Sequence, residues 1–134
     1  MVQTDISQTA AECADWRQAL RTYRDEFTQD KKDLEQLCRS SLSKDQLHQV
    51  EHLHNQFHIQ LINIHDLKQT IKAHERRLEL QPTPSEELLA QHEDLYDRFS
   101  GMEVTLLDLR NEFNNFLVLC SSKLASVIAE CPSV

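Results

Sequence analysis

The sequence predicts an all-α protein, an up-down-up antiparallel three-helix bundle with long, coiled-coil-like helices. Three observations predict it. One Gly and three Pro in 134 residues leave few places where strands could reverse. Apolar residues recur at alternating three- and four-residue steps along three long stretches. The connections between them, near residues 40–43 and 81–83, are short enough to force neighbouring helices antiparallel.

The first helix is expected over 10–40. Thr9-Ala10-Ala11-Glu12 has the form of a capping box, in which a hydroxyl and a carboxylate each satisfy an orphan amide of the first turn. Its apolar stripe runs Cys13, Trp16, Leu20, Tyr23, Phe27, Leu34 and Leu37, interrupted once by Asp30. The second helix is expected over 44–80. Ser43-Lys44-Asp45-Gln46 supplies another box, Leu42 and Leu47 a hydrophobic staple, and Pro82 the stop. Its stripe runs Val50, Leu53, Phe57, Leu61, Ile64, Leu67, Ile71, His74 and Leu78.

The third helix is expected over 84–128, opened by Thr83-Pro84-Ser85-Glu86 with proline at the first helical position. Its stripe passes through Leu88, His92, Leu95, Phe99, Met102, Leu106, Leu109, Phe113, Phe116, Cys120, Leu124 and Val127. The phase survives Ser100-Gly101, which predicts one helix across the glycine. The whole chain forms a single domain with flexible ends at 1–8 and 130–134, a rod roughly 50 to 60 Å long at 1.5 Å per residue.

Composition narrows function. A net charge of −8 disfavours nucleic acid and anionic membranes, whose binding depends on neutralising phosphates. The N-terminal stretch has neither the basic nor the apolar region of a secretory signal, and no run is apolar enough to span a bilayer, so a cytoplasmic protein is expected. Four cysteines without CxxC spacing are expected as thiols. The topology brings Cys38 toward Cys120, a sterically allowed disulfide that a reducing compartment disfavours. Lys68, Lys72, Arg76 and Arg77 are expected to neutralise Glu86, Glu87, Glu93, Asp94 and Asp97 on the neighbouring helix.

Catalysis is not expected. The chain has no glycine-rich phosphate loop, no nucleophile elbow and no HExxH. Cys13 and His92 lie toward the same end of the rod as a thiol and imidazole pair, with nothing in the sequence to mark either as activated.

Five of seven histidines, His48, His52, His54, His58 and His65, crowd the stretch Leu47 to Leu67 of the second helix. Glu51, His54 and His58 hold the spacing of half a bundle metal site, in which Glu-x-x-His puts carboxylate and imidazole on one face. No second such motif exists in the chain, so this site would need completion across a symmetric dimer. Most of these histidines fall on flanks and outer faces, and no bound cofactor is expected. Ile59 and Ile62 project far from the core stripe. Edged by His52, His58 and His65, they mark an interaction surface whose imidazoles would charge together near pH 6.5. Leu89, Tyr96, Leu107 and Val118 form a second apolar row on the third helix. The expected function is that of a non-enzymatic protein interaction or scaffolding module, self-associating as a dimer and meeting a further protein partner. Metal binding through the second helix is the alternative.

Residues 51–75, EHLHNQFHIQLINIHDLKQTIKAHE, resemble a pattern found in small uncharacterised all-helical bacterial proteins. The resemblance rests on Glu51, Asn55, Gln56, Phe57, Asp66, His74 and Glu75. It implies a bacterial cytoplasmic helical protein and carries no site residues, because the family has no assigned activity.

Overall fold

The computed structural model describes residues 6–37, 42–81 and 83–130, with side chains described for 8–37, 42–81 and 83–120. Three helices, α1 (Ile6–Leu37), α2 (Lys44–Leu80) and α3 (Glu86–Glu130), make up the fold.

Side-chain pairs fix the topology. Arg17 meets Glu75 and Glu35 meets His54, so α2 descends as α1 rises. Arg77 meets Gln91 and Gln49 meets Glu112, so α3 reverses again. Between α1 and α3 the pairs Glu12 with His92, Tyr23 with Glu103, and Asp30 with Arg110 all lie 80 residues apart, the signature of two parallel helices in constant register. The bundle is therefore up-down-up.

The core follows the three apolar stripes. At mid-length Phe27, Phe57 and Phe113, one from each helix and all essentially sealed from solvent, stack edge to face with centroids 5.3 and 5.2 Å apart. That geometry sets the positive edge of one ring against the negative face of the next. The polar interruption at Asp30 is also buried, and Arg110 of α3 donates to both its carboxylate oxygens at 2.9 and 3.3 Å. Arg110 reaches Glu26 as well, at 3.0 Å. The hydrogen bond to Asp30 comes first among the causes that raise the guanidinium pKa.

The helix starts depart from expectation at two of three places. Ser43 forms the full capping box, its hydroxyl accepting from the Gln46 amide at 3.2 Å and its own amide donating to Gln46 Oε1 at 2.8 Å. Thr9, however, lies buried inside α1, because that helix already exists at Ile6. The helix thus begins four residues ahead of the start expected at residue 10. At α3 the cap is Ser85, whose hydroxyl accepts from the Leu88 amide at 3.2 Å, so Thr83 and Pro84 precede the helix. Gly101 is helical and α3 is continuous across it. Cys38 and Cys131 lie outside the described residues, as do the expected ends 1–5 and 131–134 and any bond between Cys38 and Cys120. Among the described residues, no helix is long and apolar enough to cross a membrane.

Candidate metal centre

The up-down-up path brings the start of α1, the end of α2 and the start of α3 to one end of the rod. Each apolar stripe contributes one polar side chain at that level: Cys13 from α1, His74 from α2 and His92 from α3. All three are buried, at 0, 3 and 5% exposure. Cys13 Sγ lies 3.9 Å from His92 Nδ1, and His74 Nε2 lies 3.1 Å from the same nitrogen. One donor atom from each residue can be chosen so that all three fall within 4.8 Å of one another.

The environment assigns protons. His92 Nε2 lies 3.0 Å from Glu12 Oε2, and an ionised carboxylate accepts, so Nε2 carries the hydrogen and Nδ1 presents its lone pair inward. That single lone pair faces two donors, the Cys13 thiol and the His74 Nε2 hydrogen. On the far side of His74, Nδ1 is buried, and no hydrogen-bond partner reaches it among the described residues. The cluster therefore sets two hydrogens on one lone pair and leaves another lone pair unmatched, a poor arrangement for a buried site.

Burial keeps Cys13 and His74 neutral. Burial pushes the Cys13 thiol up to about 12, with Glu75 and Glu12 adding to the effect and Arg17 opposing it. Burial also lowers the His74 pKa, reinforced by the neighbouring His92 and Arg77 and opposed by Glu75. Trp16, the only tryptophan in the chain, covers one side of His92 with ring centroids 4.8 Å apart and a 30° interplanar angle. Arg17 donates through two nitrogens to the Glu75 carboxylate beside the cluster, pinning α1 to α2 at this level.

Two of the three separations are those of a metal site, while the set as a whole spans up to 4.8 Å, so Cys13 and His74 must draw together to close on an ion. Zn–N bonds of about 2.05 Å and a Zn–S bond of about 2.3 Å in a tetrahedron place two nitrogens about 3.3 Å apart and nitrogen and sulfur about 3.6 Å apart. The 3.1 and 3.9 Å found here lie within a few tenths of an ångström of those values.

The histidines that stand out in the sequence sit elsewhere. His54 pairs with Glu35 and His52 with Glu112, each at 3.2 Å and about half exposed or less. His48, His58, His65 and Glu51 are exposed. Among the described residues, three metal-ligating side chains converge at Cys13, His74 and His92, and the structure does not bring Glu51, His54 and His58 together as a donor set. Ile59 and Ile62 are 45 and 48% exposed, in keeping with their outer positions.

The sequence places Cys13 and His92 at one end of the rod, whereas His74 reads only as one more position of the core stripe. The available signal was a set of three polar ligand-type residues on three otherwise apolar stripes, all at the level the topology makes common. No protein-family model, curated protein or solved structure matches this chain.

Proposed function

We propose that the protein is a non-enzymatic metal-binding helical bundle whose ligands are Cys13, His74 and His92. The observation that carries this reading is the convergence of one soft and two borderline donors, each from a different helix, in a buried end of the core. A Cys-His-His set suits zinc or another late first-row divalent ion better than calcium or magnesium, which prefer oxygen. Glu12 stands behind His92 as the carboxylate that fixes the tautomer and strengthens the inward nitrogen as a ligand.

Such an ion replaces the thiol hydrogen, so that Cys13 binds as thiolate, and takes up the Nδ1 lone pair of His92. It takes up Nε2 of His74 as well once that ring's hydrogen moves to Nδ1. Because burial holds that thiol at about 12, proton release accompanies binding and affinity rises with pH. The reading also requires a reducing compartment such as the cytoplasm, since Cys13 ligates only while reduced. With one ligand per helix, the free energy of binding becomes stability of the closed bundle, and the ion acts as a clamp on the end where α1 and α3 meet.

Elemental analysis of tag-free protein, followed by thermal unfolding with and without added zinc chloride, tests this. The expected result is one equivalent of metal and a rise in Tm that Cys13→Ser or His74→Ala removes. Metal-free protein whose Tm ignores a zinc excess would refute the reading.

A further inference from the structure

We propose that the protein assembles through two unlike faces, a cationic seam between α1 and α2 on one copy receiving the acidic outer face of α3 from the next. None of the residues involved is a metal ligand.

The seam follows from the register of the first two helices. The Arg17 to Glu75 pair places Arg21 beside Lys72 and Arg24 beside Lys68. Burial lowers the Lys68 pKa, and the positive charges of Arg24, Lys72, Arg21 and Arg17 add to the effect. The expected pairing of Lys68 and Lys72 with the acids of α3 is absent among the described ion pairs. Within the seam, Arg17 is held by Glu75 and Arg24 by Asp25. Clustering like charges in this way disfavours the isolated fold, in a chain that is otherwise acidic.

The complementary face lies on α3. Tyr96, Val104 and Leu107 are 56, 60 and 53% exposed on one stripe, and Glu86, Glu93, Asp97 and Asp108 beside them are exposed too.

Each charge pair spans about one helical turn, Lys68 to Lys72 on α2 and Glu93 to Asp97 on α3, so an incoming α3 laid along the seam sets acids on cations. Nine residues of helix turn Lys68 about 180° from Ile59, so the isoleucines stay outside this contact. Opposite charge on two faces carried by one chain selects a second copy as the occupant.

The two faces differ, so the contact is heterologous and each added copy leaves both faces available at the ends of the assembly. Masses should climb beyond a dimer as concentration rises.

Sedimentation velocity of the full chain, over a concentration series at low and high salt, tests the proposal. Association should grow with concentration and weaken by roughly tenfold or more at high salt, where exposed charges are screened. Lys68→Glu/Lys72→Glu and Glu93→Lys/Asp97→Lys should each be monomeric alone, since each has two faces of like sign. An equimolar mixture should associate again, because every contact between unlike copies is then complementary. Circular dichroism of each variant distinguishes lost association from lost fold, and the mixture supplies an internal control. A wild-type chain that stays monomeric at low salt up to its solubility limit would overturn the proposal. So would association that neither salt nor charge reversal weakens, or a mixture that fails to recover it.

Discussion

Cys13 Sγ and His92 Nδ1 lie 3.9 Å apart inside the bundle although 79 residues separate them in the chain. His74 completes the set from the third direction. Nothing about a hydrophobic core demands a thiol and two imidazoles at one level. Apolar residues of similar size would fill the space without unmatched hydrogens.

Glu12 should matter to metal affinity more than to the fold. Glu12→Gln keeps the size of the side chain but removes the charge that holds His92 in the productive tautomer. Affinity for zinc should fall by about ten- to a hundredfold, the usual scale for loss of a carboxylate behind a ligating histidine. Competition with a chromophoric chelator measures this, while helical content should stay at the wild-type level.

Tyr23 should titrate late. Its hydroxyl donates to Glu103 Oε2 at 2.8 Å, and burial, then that bond and the charge on Glu103, push its pKa from 10.0 to about 12. The folded state therefore holds the proton more tightly than the unfolded chain does. The associated stabilisation is complete below pH 10 and is lost as pH rises from 10 toward 12. Tyrosinate absorbance in a Tyr96→Phe background follows this one ring. Tyr23→Phe should flatten the corresponding loss of stability.

Arg110 should be needed because Asp30 is buried. Arg110→Ala strands that carboxylate in the core, and with the guanidinium partly solvated the cost should be about 2 to 3 kcal/mol in urea unfolding. Replacing both residues by leucine should recover part of the loss, since an apolar pair leaves no charge unpaired.

Gly101→Ala should stabilise the protein by about 1 kcal/mol, the helix-propensity difference between the two residues. A β-carbon added there meets nothing within 4 Å, so no steric penalty offsets the gain. Denaturant midpoints of the two chains give the comparison.

The helices were legible because each stripe keeps phase over its whole length, even across Gly101 and the polar Asp30. Their starts were less so. Thr9-x-x-Glu12 and Thr83-x-x-Glu86 match the box pattern as well as Ser43-x-x-Gln46 does, yet caps depend on where the backbone leaves the helical region, which residue types constrain only weakly. The same ambiguity hid the role of Glu12. As a capping residue it would face the backbone of α1, whereas in the structure it reaches across to His92.

The centre was partly legible for a different reason. Helical periodicity places Cys13, His74 and His92 on inward faces, and topology places them at one end, but their mutual distances depend on axial register between helices. Local spacing does not encode that register. The crowded histidines of α2 carry a strong local signal and sit mostly on flanks, where His52 and His54 meet single carboxylates. The basic residues of α2 show the same limit. Arg77 does turn to α3, donating to Gln91 at 2.6 Å, whereas Lys68 and Lys72 lie on the flank that faces the arginines of α1.

Optical titration of the metal-free protein with cobalt(II) tests the central claim most directly, because cobalt reports both ligand type and geometry. The account predicts saturation at one equivalent, a thiolate-to-cobalt charge-transfer band that Cys13→Ser abolishes, the intense visible bands of a four-coordinate ion, and parallel quenching of Trp16 fluorescence. A spectrum no different from aqueous cobalt, with Trp16 emission unchanged, would contradict it.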